Sequence, residues 1–249
     1  AVVKIATWNV NSLKVRLPHV LDWLAEHQPD VLGLQETKLT DENFPAEALQ
    51  GAGYHVIYSG QKTYNGVALL SREPASDPLY TPEALDEGGK RIVAGTFGGV
   101  RVLNLYVVNG KEAGSDKFDY KMQWLDHVTA LTREEMSRHS RFVVMGDFNI
   151  APGDDDVYDP EGWRESIHCS TPEREKLAAM TGLGLVDTFR QFEQPEATYS
   201  WWDYRQGAFR RNRGLRIDLI LASAALAEHC TACKVDVEPR RLERPSDHA

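Results

Sequence analysis

The sequence predicts an α/β protein, and two observations support this fold class. Short apolar runs bounded by turn residues, which are typical of buried strands, recur along the whole chain of 249 residues. Between these runs lie longer segments whose apolar residues follow the period of an α-helix. No linker, repeat or low-complexity tract divides the chain, so we expect one domain over residues 1–249.

Strands are expected at residues 2–8, 31–35, 54–58, 67–71, 92–97, 100–107, 142–146, 217–221 and 231–237. Helices are expected at residues 17–27, 43–50, 117–138 and 171–181. The last helix has a capped start, because Thr171 is followed by Pro172 at the first helical position. Long polar loops, which often carry function on a rigid scaffold, are predicted at residues 72–90, 108–116, 151–170 and 201–214.

Composition and charge narrow the function. The chain is 42% apolar and 26% charged, which is ordinary for a globular protein and excludes a disordered or fibrous one. It has no apolar run long enough for a membrane span and no secretory signal at its start. Its three cysteines make no disulfide framework, and Cys230 and Cys233 lack the second pair that a zinc site needs. We therefore expect a protein of the reducing cytoplasm with no membrane partner.

Polar residues recur at the ends of the predicted strands. Asn9, Glu36 and Asp147 each end or follow an apolar run, Asp218 lies within another, and His248 stands next to the last residue. Polar groups beside buried strands cost free energy unless they are paired or bind a ligand. A single such residue is ordinary, but five of them in distant segments predict one convergent site.

These residue types suit the hydrolysis of a phosphodiester. Carboxylate and amide oxygens without a thiolate are the donors that Mg²⁺ or Mn²⁺ prefers. An imidazolium at His248, held by Asp218, could stabilise charge on a phosphate. Asp147 could orient or deprotonate a water, and Asn149 points to the same side of an extended chain. The chain has no GxSxG, P-loop or HExxH motif, which excludes several other enzyme classes.

The sequence resembles the exonuclease III family of AP endonucleases, within the DNase I-like endonuclease/exonuclease/phosphatase superfamily. The segments that carry the resemblance follow the family order along the whole chain, and they are TWNVNSL, QPDVLGLQETKL, GQKTYNGVALLSR, LYVVNG, GDFNIAP, GLVDTFR, SWWDYR, GLRIDLILAS and RPSDHA. The resemblance implies a four-layered α/β sandwich in which two mixed β-sheets are flanked by helices.

The same resemblance implies a role for each matching residue. Glu36, with Asn9 nearby and Asp247 as a further candidate, would form a Mg²⁺ site that could also accept Mn²⁺. Asp147 and Asn149 would position the attacking water. His248, paired with Asp218, would contact the scissile phosphate. Tyr106 and Asn109 would hold the phosphate oxygens or assist the leaving group.

A basic, aromatic segment supports a DNA partner despite the net charge of −9. Five arginines and one aspartate lie between Trp201 and Arg216, interleaved with aromatic residues, a combination that suits backbone neutralisation and stacking. We expect DNA contacts from Trp202, Arg205 and Arg213, with Lys38 and Arg91 as further phosphate contacts. By resemblance, a pocket for an extrahelical base-less sugar would be lined by Trp201, Leu215 and Ile217.

Two features depart from the family pattern. Family members continue past the DHA segment with a Pro-Val and a final strand, so we expect that the chain is truncated after Ala249 and that Asp247 and His248 are held more loosely. The loop that contains His168 is the second departure. We hypothesise that His168 narrows the pocket and favours 3′-end trimming over incision at abasic sites.

Three functions compete on the sequence alone. The first is a Mg²⁺-dependent DNA repair nuclease that cleaves 5′ to abasic sites and trims nicks or blocked 3′ ends in duplex DNA, with mainly 3′-end processing as a variant. The second is a lipid or inositol phosphoesterase of the same superfamily, and the third is a non-catalytic DNA-binding module. The arginine-rich segment favours DNA, and the five convergent polar residues favour catalysis. We expect a cytoplasmic monomer, associated with the nucleoid if bacterial, without an obligate protein partner.

Overall fold

A computed structural model describes residues 4–249 of the chain. The strands are β1 Ile5–Asn9, β2 Val31–Gln35, β3 His55–Ser59, β4 Val67–Ser71, β5 Ser76–Tyr80, β6 Ile92–Phe97, β7 Val100–Tyr106, β8 Phe142–Asp147, β9 Leu185–Asp187, β10 Trp201–Trp202, β11 Gly214–Leu215 and β12 Asp218–Ser223. The helices are α1 Leu13–His27, α2 Ala46–Gly51, α3 Asp116–Arg138, α4 Thr171–Thr181 and α5 Ala224–Ala227. Val2 and Val3 of the predicted first strand lie outside the described residues.

Two mixed sheets form the centre of the molecule. The first has the order β1-β2-β4-β3, and the second has the order β5-β6-β7-β8-β12-β9. Only the pairs β1–β2 and β7–β8 are parallel within the two sheets, and the other pairs are antiparallel. The mixed topology predicted by the family resemblance is therefore confirmed.

Three apolar clusters hold the layers together. One lies between the sheets and joins residues such as Leu69 of β4 to Met145 of β8. A second packs α1 and α2 on the outer face of the first sheet, and a third packs α3 and α4 on the outer face of the second sheet. Each helix buries one apolar stripe against a sheet, as amphipathic helices do. The result is the four-layered sandwich, helix–sheet–sheet–helix, that the resemblance implied.

The predicted strand at residues 231–237 is wrong. This segment is irregular, and its polar groups contact side chains rather than a neighbouring strand. Gln194 donates a hydrogen bond to the carbonyl of Cys233 (2.8 Å), and Trp23 Nε1 donates to the carboxylate of Asp236 (3.0 Å). Tertiary contacts therefore satisfy these polar groups, and they override the strand propensity of the segment.

Other differences concern boundaries and short elements. Helix α1 begins at Leu13, earlier than predicted, because Ser12 caps it and Pro18 is tolerated within it. The loops predicted at residues 72–90 and 201–214 contain the short strands β5, β10 and β11, and β9 and α5 were not predicted. Within the described residues, no helix combines the length and apolar character that crossing a membrane requires.

The topology gathers polar strand ends at one edge of both sheets. Parallel strands β7 and β8 end side by side, with Tyr106 paired with Asp147. Strand β12 runs antiparallel to β8, so its first residue, Asp218, also lies opposite Asp147. Gly146 has a φ of 141°, and a Cβ there would lie 1.9 Å from the carbonyl oxygen of Leu105. Only glycine fits this close approach, which brings Asp147 to the sheet edge.

Candidate active site

An imidazole between two carboxylates lies at the centre of this edge. His248 Nδ1 is 2.8 Å from Asp218 Oδ2, and His248 Nε2 is 3.6 Å from Asp147 Oδ2. All three side chains are almost completely buried. The Oδ1 atom of Asp218 is buried and has no hydrogen-bond partner among the described residues. Such an unsatisfied atom in a polar cluster indicates a place for a ligand, an ion or a water.

The protonation of this cluster follows from burial and charge. Burial alone would lower the pKa of His248, but the carboxylates of Asp218 and Asp147 outweigh it and raise that pKa well above its usual value. Burial raises the pKa of Asp147 to about 7, an effect that His248 opposes and Asp218 and Glu36 strengthen. His248 is therefore an imidazolium with two donors, one of which faces the carboxylate of Asp147.

Two asparagines hold the carboxylate of Asp147 in place. Asn9 Nδ2 donates to Asp147 Oδ2 (2.9 Å), and the backbone N–H of Asn149 donates to Asp147 Oδ1 (3.0 Å). Asn149 has a φ of 49°, in the left-handed region, and its side-chain amide donates to the carbonyl of Val107 (2.8 Å). Strained backbone of this kind persists where surrounding contacts determine it, and it is frequent at active sites. The side chain of Asn109 lies 3.5 Å from that of Asn149.

Glu36 reaches the same site from the first sheet. The phenol of Tyr106 donates a hydrogen bond to its Oε1 atom. Burial raises the pKa of Tyr106 well above its usual value, and the charges of Glu36 and Asp147 add to this rise. The phenol is therefore protonated and acts as a donor. Arg91 stacks on the ring of Tyr106, with the guanidinium carbon 4.7 Å from the ring centre.

Asp247 and His248, near the last residue of the sequence, both have hydrogen-bond partners. Asp247 accepts hydrogen bonds from Trp201 Nε1 (3.0 Å) and from the side chain of Asn11 (3.2 Å). Asn11 in turn accepts from Lys38 Nζ (2.6 Å). Sequence reasoning missed Asn11, although its position two residues after Asn9, in the segment TWNVN, was a pattern that could have indicated it.

The predicted DNA contacts divide into exposed and buried residues. Arg205 and Arg213 are exposed, and Arg205 forms an ion pair with Asp203 (2.8 Å). Trp202 is buried, with Nε1 bonded to Asn212, so its predicted direct contact with DNA is corrected to a structural role. Arg216 is also buried, between the carboxylates of Asp156 and Asp187, and it adds no free charge to the surface.

The residues predicted to line a sugar pocket lie together. Leu215 and Ile217 are buried in a small apolar cluster against which Trp201 packs, and their role as a pocket wall stays a prediction. The buried ring of His168 lies beside this cluster, with its centre 6.3 Å from that of Trp201 and 6.4 Å from that of Trp163. Burial lowers the pKa of His168 to about 3, helped by the charge of Lys121, so the ring is neutral.

The donors at the site fit a hard divalent cation. Asp147, Asp218 and His248 place potential ligand atoms within 4.8 Å of one another. His248 is a poor ligand because its imidazolium has no free lone pair. The residues predicted to hold the cation, Glu36, Asn9 and Asp247, offer carboxylate and amide oxygen atoms without a thiolate, which suits Mg²⁺ or Mn²⁺ and not a structural zinc.

Comparison with known proteins supports a nuclease scaffold. The model of the endonuclease/exonuclease/phosphatase family matches residues 6–248. Exodeoxyribonuclease III of Haemophilus influenzae is 38% identical over 262 residues, which cover 99% of this chain and 97% of that protein. A 3′ phosphatase from Neisseria, solved with a product DNA hairpin, has a TM-score of 0.96 at 52% identity, covering 98% of this chain and 96% of that one.

A third protein is similar over nearly the whole chain. The structure of an AP endonuclease from Archaeoglobus fulgidus has a TM-score of 0.93 at 39% identity, and the match covers 99% of this chain and 96% of that one. The similarities extend over the whole fold rather than over one segment. They therefore include both sheets and every strand end that contributes to the site.

Proposed function

The chain belongs to the endonuclease/exonuclease/phosphatase family, and on this premise we propose that it is a Mg²⁺-dependent DNA repair nuclease. It hydrolyses phosphodiesters 5′ to abasic sites and removes nucleotides or phosphates from 3′ ends of duplex DNA. The observation that carries the proposal is the buried Asp147–His248–Asp218 cluster, with Glu36 and Tyr106 beside it. A base, an imidazolium and a carboxylate for a cation are the groups that phosphodiester hydrolysis requires.

In this proposal Asp147 orients the attacking water and accepts its proton. Asn9 and the backbone of Asn149 fix the carboxylate, so its position does not change as the proton arrives. His248, oriented by Asp218, donates a hydrogen bond to a non-bridging phosphate oxygen. The amide of Asn109 and the phenol of Tyr106 face the same site and support the phosphate or the leaving oxygen.

Glu36 would hold the cation, with Asn9 nearby. The bound Mg²⁺ or Mn²⁺ supplies positive charge that neutralises the phosphate. Both carboxylate oxygens of Asp247 already accept hydrogen bonds, so we propose that Asp247 mainly positions Trp201. The phenol of Tyr106 orients Glu36 toward the centre of the site.

His168 supports 3′-end processing as the main activity. Its ring lies beside those of Trp163 and Trp201, which pack against the cluster of Leu215 and Ile217, and we propose that it occupies volume that an extrahelical sugar would need. The similar Neisseria protein is described as a 3′ phosphatase, which agrees with this assignment. We propose that abasic-site incision is the weaker activity because the His168 ring must move before a sugar can enter.

A substrate panel tests the proposed function. Duplexes that carry an abasic site, a recessed 3′ end or a 3′-phosphate are incubated with the protein and Mg²⁺, and parallel samples contain EDTA. We expect phosphate release and 3′ trimming in the presence of Mg²⁺, recovery when Mg²⁺ is restored, and no products in EDTA. Products that form equally in EDTA, or no product from any duplex, would contradict the proposal.

The role of His168 has its own experiment. His168→Gly removes the ring and is expected to raise the ratio of abasic-site incision to 3′-phosphate release at least tenfold. Trp163→Phe, which keeps an aromatic ring beside the same pocket, is the control and should leave the ratio within twofold of wild type. An unchanged ratio in His168→Gly would show that the ring does not restrict the pocket.

The proposed setting is the cytoplasm, with duplex DNA as the partner. All three cysteines are free in the described part of the chain, as expected of a protein that works in a reducing compartment. We propose a monomer that needs no protein partner, because the residues named above all come from one chain. Sedimentation at micromolar concentration measures this directly.

A further inference from the structure

A fully buried lysine lies directly behind the active site. Lys121 of α3 is inaccessible to solvent, as is the carboxylate of Glu173 with which it forms an ion pair. Its neighbours on the same helix face include Phe118, Trp124 and Leu125, which belong to the core. A lysine on such a stripe departs from the amphipathic pattern, and a buried ion pair rarely stabilises a protein more than apolar residues of similar size would. Stability alone therefore does not account for Lys121.

The other partners of Lys121 are two backbone carbonyls of the site. Lys121 Nζ donates to the carbonyl of Asn149 (2.8 Å) and to the carbonyl of Asn109 (3.0 Å). With Glu173 these acceptors use all three protons of the ammonium group. The ammonium thus connects the two loops that carry Asn109 and Asn149, whose side-chain amides lie 3.5 Å apart.

Glu173 extends the same network to the loop that contains His168. Its carboxylate accepts from the hydroxyl of Ser170 (2.8 Å) and from the backbone N–H of His168 (3.0 Å). The neutral ring of His168 belongs to the same hydrogen-bond network, because His168 Nδ1 lies 2.7 Å from the carbonyl oxygen of Asn149. The carbonyl of Asn149 therefore receives one hydrogen bond from Lys121 and one from His168.

Lys121 also fits closely against its surroundings. A Cβ at Gly110 would lie 2.8 Å from Lys121 Cδ, so the loop after Asn109 packs directly on the aliphatic part of the side chain. This packing and the left-handed backbone of Asn149 mean that small displacements of the ammonium would be passed to both loops.

We propose that the Lys121–Glu173 pair is a positioning unit of the active site, which sets the side-chain amides of Asn109 and Asn149 and couples them to the loop that carries His168. This inference rests on the proposed nuclease function. Lys121 and Glu173 touch no substrate and act through the residues they hold. Removing the unit should lower the rate of the chemical step more than it weakens DNA binding, because only the alignment of the amides changes.

The test uses the double variant Lys121→Met with Glu173→Gln. It leaves no unpaired buried charge, and the glutamine oxygen can still accept from the backbone N–H of His168 while its amide group donates to the hydroxyl of Ser170. On a duplex with a 3′-phosphate, we expect kcat to fall at least tenfold while KM changes less than threefold. We also expect the ratio of abasic-site incision to phosphate release to rise at least threefold, because residue 173, which holds the loop of His168, is no longer fixed by residue 121.

The matched control is Arg101→Met with Glu135→Gln, which removes the buried ion pair at the opposite end of α3. We expect its kcat to stay within twofold of wild type. An equal loss of kcat in both double variants, or no loss in the Lys121 variant, would overturn the inference. A wild-type protein that releases no phosphate would overturn the proposed function and this inference together, so the two failures are distinguishable.

A second variant keeps the test decisive if the double variant does not fold. Glu173→Asp retains both charges and shortens the carboxylate arm by one methylene. It is expected to remain folded, as measured by circular dichroism, and to lower kcat at least threefold at an unchanged KM. A folded Glu173→Asp protein with the wild-type kcat would contradict the positioning role.

Discussion

The two ends of helix α3 and of the strands beneath it both carry buried charges, but within residues 4–249 the polar groups around these charges are unsatisfied at one end and paired at the other. At the far end, Arg101 donates to Glu135 (2.9 Å), to the carbonyl of Asp77 (2.7 Å) and to the hydroxyl of Thr96 (3.1 Å). Arg138 provides Glu135 with a second cation at 3.2 Å. These polar atoms are paired with one another, so they are not available to a ligand.

The site end differs in the state of its polar atoms. Asp218 Oδ1 has no partner among the described residues, and the His248–Asp147 distance of 3.6 Å exceeds a normal hydrogen bond. The amides of Asn109 and Asn149 are also separated by a long 3.5 Å. The comparison shows that buried charge alone does not identify a functional site. At the candidate site, buried charge occurs together with unsatisfied hydrogen-bonding capacity, a combination that is frequent at functional sites.

The largest expected effect of this difference is on turnover. Asp147→Asn at the site end should lower kcat by about 10³-fold, because an amide cannot accept the proton of the attacking water. Glu135→Gln is the matched substitution at the far end and should leave kcat within twofold of wild type. Both are measured as 3′-phosphate release, with DNA affinity determined separately in EDTA. Comparable losses of kcat in the two variants would remove the distinction between the ends.

The second prediction concerns stability, which a substitution at the far end should lower without changing kcat. Arg101→Met leaves the carboxylate of Glu135 buried with Arg138 as its remaining cation. The free energy of unfolding should fall by about 3 kcal/mol, as expected when one partner of a buried ion pair is lost. Urea denaturation measures this value, and kcat per folded molecule should be unchanged. A tenfold lower kcat in the folded fraction would mean that the far end also affects catalysis.

The sequence predicted the site better than it predicted the fold's irregular parts. Asn9 and Asp147 could be found because each ends or follows an apolar run, and Asp218 because it is a charged residue within one. The strand pairing brings them to one edge. His248 has no such run before it, and it was linked to Asp218 through the resemblance and the chemistry of the pair. The structure places these residues together at one edge, whereas their roles stay proposals.

What the sequence missed depends on tertiary contacts. Trp202 and Arg216 lie in an arginine-rich, aromatic segment that is typical of a DNA surface, yet both are buried. Asn212 of the same segment is the partner of Trp202, and Asp187, from elsewhere in the chain, is a partner of Arg216. Lys121 was overlooked for the same reason. Its position on the apolar stripe of α3 was visible in the sequence, but the carbonyls of Asn109 and Asn149 that satisfy it become neighbours only in the folded chain.

The third prediction concerns pH and the neutral His168 at the site end. Its pKa is about 3 in the folded protein, below the usual value near 6.5, so the unfolded chain binds more protons between these values. Stability is therefore retained above pH 6.5 and is lost as pH falls, by about 1.4 kcal/mol per pH unit at most. Urea denaturation from pH 7.5 to 5 gives the slope of the free energy of unfolding against pH. In His168→Gln this slope should be smaller by the contribution of up to one proton. Identical slopes would indicate that His168 is protonated in the fold.

The smallest expected effect is on the salt dependence of DNA binding, and it concerns exposed arginines at the two ends. Arg213 is exposed one residue before β11, the strand that pairs with Trp201, whereas Arg141 is exposed one residue before β8 at the far end. If DNA covers only the site end, Arg213→Ala should remove one phosphate contact and reduce the slope of log K against log salt by about 0.9. Arg141→Ala should leave the slope unchanged, since a cation far from the DNA releases no counterion. Binding in EDTA between 50 and 200 mM salt, which spans roughly the range where this dependence is steep, measures both slopes. A reduced slope in Arg141→Ala would place DNA on the far end of the molecule, where Arg101 and Glu135 are paired with each other and are not available to a phosphate.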